Sequence, residues 1–168
     1  MKLPSSFFSL LMWGLCQLLA PLNALSQEQD LEGLLKEAKV LFSRADYSAS
    51  KERFNRVLRI APNHPDACVY MGFIEDVQLN SSPVETARWW VRGLRSGGKG
   101  PDKLPTGIKP EQSLKRVAGR LSEDGKVAFQ SKRYDRAREY FELARDLDPQ
   151  LPEIESRIKR VNDITAEI

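Results

Sequence analysis

Hydrophobic residues recur every three to four positions along most of the chain after residue 27, which is the spacing of one face of a helix. In the clearest run, which Pro149 closes, small and large residues share one face: Tyr134, Ala137, Phe141 and Ala144. Proline ends such a run because it cannot continue a helix without losing a hydrogen bond. The pattern predicts a helix whose small residues let a neighbouring helix approach closely.

The same pattern occurs 87 residues earlier in the chain. The matched positions are Tyr47 and Tyr134, Phe54 and Phe141, and Pro62 and Pro149, preceded by Leu34 and Leu121, Ala38 and Gly125, and Phe42 and Phe129. In both copies one periodic run is followed by a short break and a second run. The sequence therefore predicts an internally repeated pair of helices.

This arrangement resembles the tetratricopeptide repeat, a helix–turn–helix unit with small residues at fixed positions and a proline at its end. Between the two copies lies a degenerate unit: Cys68, Met71, Gly72 and Glu75 resemble its first helix, and Ala87, Val91 and Leu94 resemble its second helix. The resemblance implies an all-α fold, a helix–turn–helix solenoid of about three repeats with a C-terminal capping helix.

On this interpretation the chain has five segments. They are a signal peptide over 1–26, repeats 1 and 2 over 27–96, a linker rich in glycine, proline and lysine over 97–109, repeat 3 over 110–150 and the capping helix over 151–168. The linker is a flap over the groove of the repeats, a hinge between the second and third repeats, or an insertion. The apolar stripe of the last helix either shields the last repeat from water or pairs with a second chain.

The N-terminal segment has the layout of a secretory signal peptide. Lys2 precedes an apolar run from Phe7 to Ala20, and small residues follow at Ala24 and Ser26. The run is shorter than the roughly 20 apolar residues that a spanning helix needs. We expect cleavage near Ser26 and export to the periplasm or the exterior, the alternative being a membrane anchor that is not cleaved.

Composition and charge add few candidates for chemistry. Charged residues make up 29% of the chain and the net charge is +3, which is ordinary for a globular protein and too weak to indicate nucleic acid binding. His64 is the single histidine, and Cys68 is the single cysteine after the leader. Gly93, Gly98 and Lys99 have the spacing of a phosphate-binding loop, but the serine or threonine and the preceding strand that the loop requires are missing. We predict no enzyme, no catalytic or metal-binding residue, no cofactor and no small-molecule substrate.

In tetratricopeptide repeat proteins the first helix of each unit lines a concave groove that holds a peptide or a helix of a partner. The resemblance implies that the groove residues here are Leu35, Lys39, Phe42, Val69, Phe73, Asp76, Val77, Lys126, Phe129 and Gln130. We expect a non-enzymatic scaffold or adaptor that binds a protein partner. Two alternatives stay open: neighbouring helices cover Phe42 and Phe129, or the protein is a self-associating structural subunit that uses its C-terminal helix or the surface at Trp89 and Trp90.

Overall fold

The computed structural model describes residues 28–78 and 81–167, and these residues form helices and no strands. The helices are α1 (residues 28–43), α2 (Tyr47–Ile60), α3 (Pro65–Asp76), α4 (Pro83–Arg95), α5 (Pro110–Gln130), α6 (Tyr134–Leu147) and α7 (Ile154–Ala166). The predicted all-helical fold class is confirmed. The predicted signal peptide lies outside the described residues.

The helix starts follow from local sequence. Proline occupies the first turn of α3, α4 and α5, where its missing N–H is not needed for a helical hydrogen bond. Asp46 caps α2, because its side chain accepts a hydrogen bond from the backbone N–H of Ala49 at 3.2 Å. His64 caps α3 in the same way through its Nδ1 atom, which accepts from the N–H of Ala67 at 3.4 Å. The single histidine thus serves the turn between two helical hairpins.

Neighbouring helices pack as pairs, in a manner consistent with a helical repeat. The closest pairs are α3 with α4 and α5 with α6, and α6 also packs against α7 and α4. The apolar face of α7, formed by Ile154, Ile158 and Val161, is buried in the same core as α6. That face is therefore covered within this chain.

The 87-residue period extends to the backbone. Helices α2 and α6 begin and end at positions that are 87 residues apart. The turns that precede them match as well, since Ala45 has a φ of 60° and Lys132 a φ of 57°. In each turn the N–H of this residue donates to a carbonyl three residues earlier, that of Phe42 or Phe129, at 2.9 Å. The predicted repeat is thus present in the backbone geometry.

Small residues stand where helices approach most closely, as the sequence pattern predicts. The Ser50 hydroxyl on α2 donates to the carbonyl of Ala38 on α1 at 2.9 Å, and both residues are buried. A Cβ added at Gly125 would lie 2.5 Å from the Phe141 ring, and one added at Gly72 would overlap the Trp90 ring. Overpacking at such contacts is destabilising.

Of the three residues predicted for the packed face of α4, Ala87 and Val91 are buried and Leu94 is not. Thr86, Trp90 and Gly93 occupy the buried positions that correspond to Ser50, Phe54 and Val57, whereas the predicted Leu94 is exposed. The turn between α3 and α4, residues 77–82, is three residues longer than its counterparts, residues 44–46 and 131–133. Trp90 is fully buried against Phe73, with ring centroids 5.0 Å apart, so only Trp89 of the predicted tryptophan surface reaches solvent.

Two ion pairs connect the second helices of the last two hairpins. The Arg88 Nε atom on α4 donates to Glu139 on α6 at 3.1 Å, and the Arg95 guanidinium pairs with Asp146 on α6. The partners are seven residues apart on both helices. In the described part of the chain, no helix is long and apolar enough to cross a membrane.

Candidate functional site

The ten predicted groove residues lie on three helices and do not form one surface. Leu35, Lys39 and Phe42 are on α1, Val69, Phe73 and Asp76 are on α3 with Val77 at its end, and Lys126, Phe129 and Gln130 are on α5. Only the α5 group lines one substantial open groove together with other helices.

Three of the predicted residues belong to the core. Phe42 and Val69 are 1% exposed and Phe73 is 2% exposed. The Phe42 ring is enclosed by Tyr47 and Tyr70, with centroids at 5.6 and 5.0 Å. No partner can reach these side chains without opening the fold, so they are not part of an accessible site.

The segment 97–109 covers the α3 part of the predicted groove. A Cβ added at Gly100 would lie 3.0 Å from the Phe73 ring and 3.2 Å from Val69, so the glycine backbone rests directly on both side chains. Leu104 of the same segment is 5% exposed and joins the hydrophobic core. Of the three alternatives for this linker, these contacts favour the flap.

Asp66 at the start of α3 holds this cover in place. Its Oδ1 atom accepts from the Lys99 N–H at 2.8 Å, and its Oδ2 atom lies 2.6 Å from Lys39 Nζ on α1. Burial opposes ionisation of Asp66, but the hydrogen bonds from Lys39 and Lys99 and the Lys39 charge outweigh burial and lower its pKa. Burial, followed by the charges of Asp66 and Asp102, raises the pKa of the adjacent Tyr70 to about 12. Lys39 is thus engaged inside the chain.

The remaining predicted residues on α1 and α3 line smaller depressions. The Nη2 atom of Arg116 lies 2.6 Å from each of the two carboxylate oxygens of Asp76. This pair lines a cavity of about 260 Å³, which Val77 also lines. Leu35 and Lys39 line a depression of about 410 Å³ whose lining residues all come from α1. Neither depression joins two hairpins around an exposed aromatic ring.

The α5 group forms an open groove with α7. The groove has a volume of about 620 Å³, and its floor is formed by the aromatic residues Phe129 and Phe141, of which Phe141 is only 2% exposed. Phe129 is only partly buried, and its ring contacts Tyr134 at a centroid distance of 5.6 Å. The groove is lined by Lys126, Phe129, Gln130, Phe141, Glu153, Ser156, Arg157 and Arg160.

The walls of this groove carry more positive than negative charge. Lys126 pairs with Glu123 at 2.7 Å, and the hydrogen bond from Lys126 lowers the pKa of Glu123. Arg157 pairs with Glu153 at 2.8 Å and also donates to the Ser122 hydroxyl. These contacts hold two cations in place along the groove.

Arg160 differs from these two cations. Its guanidinium lies over the Phe129 ring, 5.1 Å from the centroid, and among the described residues it has no carboxylate partner. A guanidinium in this position is attracted by the ring and keeps its N–H donors in its own plane.

Sequence reasoning missed the α7 wall, which supplies Glu153, Ser156, Arg157 and Arg160. From the sequence, this helix is assigned only to shielding the last repeat or to pairing with a second chain. The available signal was that Arg157 and Arg160 flank the apolar positions Ile154, Ile158 and Val161, so that they border the face turned to the core.

Metal chemistry has no candidate site in the described ranges: no group of three or more His, Cys, Asp or Glu residues there is arranged to hold an ion. Cys68 is buried, and burial raises the pKa of its thiol. No model of a known protein family matches the chain, and no curated protein matches it.

Proposed function

We propose that this protein is a non-enzymatic scaffold or adaptor, built of three hairpins of the tetratricopeptide type, that binds a peptide or helix of a protein partner between α5 and α7. The observation that carries the proposal is the position of Phe129. Phe42, at the equivalent position of the first repeat, is buried, whereas Phe129 forms part of the floor of an open groove.

The repeat spacing supports the assignment to this type of hairpin. Ala38 and Gly72 occupy equivalent positions 34 residues apart, which is the length of one tetratricopeptide unit. Gly125 follows at a longer distance because the α3–α4 turn is extended and the segment 97–109 is inserted. The N-terminal residues, which have the layout of a signal peptide, support a role outside the cytoplasm.

The shape and chemistry of the groove support a protein ligand. A segment laid between α5 and α7 contacts both helices, with apolar side chains against the aromatic floor and polar groups against the walls. The volume of about 620 Å³ is in the range of ligand-binding clefts. Burying one large apolar side chain there contributes about 1.5–3 kcal/mol.

The test is selection of binders from a displayed random-peptide library on the purified protein. The selected peptides are then measured against Phe129→Ser and against the control Val127→Ser, which removes a 57% exposed side chain of the same helix outside the groove. We expect affinity to fall roughly tenfold or more for Phe129→Ser, from loss of apolar burial, and to stay unchanged for Val127→Ser.

Circular dichroism must show that both variants are folded. Selected peptides that bind Phe129→Ser as tightly as the parent would place binding elsewhere and contradict this groove. A library that yields no binder of the parent would contradict the proposed function itself.

A further inference from the structure

Arg160 is held at the groove by an aromatic ring and has no acidic partner among the described residues. The stacking on Phe129 orients the guanidinium while leaving its donors directed along its plane. A planar guanidinium offers paired N–H donors that match the two oxygens of a carboxylate. The exposed side chain is thus placed to pair with an anion next to an apolar surface.

The charges around Arg160 favour a negative ligand. The groove is lined by the cations Lys126, Arg157 and Arg160 and by one carboxylate, Glu153, which is engaged by Arg157. Glu123 lies outside the groove and is engaged by Lys126. A basic segment laid in the groove would therefore meet like charge at Arg160, and a neutral segment would leave its donors to water.

The aromatic floor requires that the ligand is also apolar. Phe129 is partly exposed beside Arg160, so a bound acidic side chain brings a neighbouring side chain onto this ring. A small anion would use the charge and leave the Phe129 ring uncovered. The site thus matches alternating acidic and large apolar side chains on one segment.

Resting on the proposed function, we propose that the partner segment is acidic and amphipathic: a side-chain carboxylate pairs with Arg160 while a neighbouring apolar side chain lies on Phe129. The recognised carboxylate is internal to the segment, because the groove runs between two helices and offers both walls to a continuing chain. Lys126 and Arg157 stay in their ion pairs with Glu123 and Glu153, so the charge left for the ligand is that of Arg160.

Three fluorescent peptides test this inference by anisotropy on the full protein. They are acetylated and amidated, share the same leucine and phenylalanine positions, and carry aspartate, asparagine or lysine at all other positions. The expected order of affinity is aspartate first, by roughly tenfold or more over asparagine, with lysine weakest. Blocked termini ensure that only side-chain carboxylates are tested.

Charge-reversal variants distinguish a specific contact with Arg160 from nonspecific attraction to a positively charged surface. Arg160→Glu is expected to reverse the order and favour the lysine peptide. The matched control is Lys159→Glu, which makes the same change at the adjacent exposed residue outside the groove and is expected to keep the order. Thermal melting followed by circular dichroism checks that both variants are folded.

Two results would overturn the inference. One is an aspartate peptide that binds no more tightly than the other two. The other is an equal loss for Arg160→Glu and Lys159→Glu, which would show nonspecific attraction. In either case, library peptides whose binding depends on Phe129 would still support the proposed function. The absence of such peptides would contradict both the proposed function and this inference.

Discussion

Phe42 and Phe129 occupy the same position in the repeat, but Phe42 is buried and Phe129 is partly exposed. Each ring meets a tyrosine from the next helix at 5.6 Å, Tyr47 in the first copy and Tyr134 in the second. The Phe42 ring is then enclosed by Tyr70 of α3. The Phe129 ring is instead met by the Arg160 guanidinium of α7 and stays partly exposed. The third neighbour decides whether the ring is core or surface.

The comparison shows which properties a repeat position determines. Position within the unit determines the backbone and the contacts inside the hairpin, because those are made by residues that repeat. Exposure of the phenylalanine ring depends on the helix that follows the hairpin. This helix supplies Tyr70 in the case of α3 and Arg160 in the case of α7. The segment 97–109 adds to the difference, since it covers α3 and is not among the residues that line the α5–α7 groove.

The largest expected effect on the free energy of unfolding comes from truncating the two phenylalanine rings. Phe42→Ala should destabilise the protein by about 3–5 kcal/mol, because it removes a buried ring from a closed site. Phe129→Ala should cost about 1–2 kcal/mol, because a partly exposed ring loses less apolar burial. Urea unfolding followed by circular dichroism measures both. Equal losses would mean that Phe129 is as enclosed as Phe42 and that the groove is closed.

The contacts inside the hairpins should respond alike in both regions. Gly72→Ala and Gly125→Ala each place a Cβ in overlap with an aromatic ring, that of Trp90 or Phe141, and each should destabilise by about 1–3 kcal/mol. Gly119→Ala is the control on α5, because its Cβ would meet nothing within 4 Å and should stabilise the helix by about 0.5–1 kcal/mol. The melting temperatures of the three variants order these effects. A stabilising Gly125→Ala would contradict the close approach of α5 and α6.

The smallest expected effect on stability concerns Asp66, which holds the segment 97–109 against α3, and this effect depends on pH. Because the Asp66 pKa lies below its usual value of 3.8, the stability that its charge contributes is full above that pH and is lost as pH falls through the native pKa. Asp66→Asn should lower stability by at most about 1 kcal/mol at neutral pH, since the pair is partly exposed. Thermal melting from neutral to acidic pH should show the difference from the parent shrinking to nothing.

The matched control for this measurement is Asp163→Asn, which makes the same change at an exposed aspartate of α7. It should leave the melting temperature close to that of the parent. A difference between the parent and Asp66→Asn that stays constant on acidification would show that Asp66 does not hold the segment through its charge.

Much of the fold was readable from the sequence for a physical reason. Burial against a neighbouring helix forces small and large residues to recur at fixed positions, so the all-helical repeat follows from Ala38, Gly125 and their matched partners. The bounds of α2 follow from Asp46 before it and Pro62 after it. The burial of Thr86 and Trp90 was missed because the longer turn before α4 interrupts the repeat spacing.

Less of the candidate site was readable. Lys126, Phe129 and Gln130 were predicted from the repeat, but Val69 and Phe73 follow the same rule and lie under Gly100. A glycine-rich segment carries no periodic signal that shows where it folds back. The α7 wall was missed because charged residues at the end of a chain are usually solvated.

The two ion pairs between α4 and α6 have a mechanical consequence. Arg88 and Arg95 are spaced seven residues apart, as are their partners Glu139 and Asp146, so sliding one helix along the other by a turn breaks both pairs at once. The two pairs therefore favour one register of α4 against α6. A load along the helices would be resisted there in shear, by two bonds that share it in parallel.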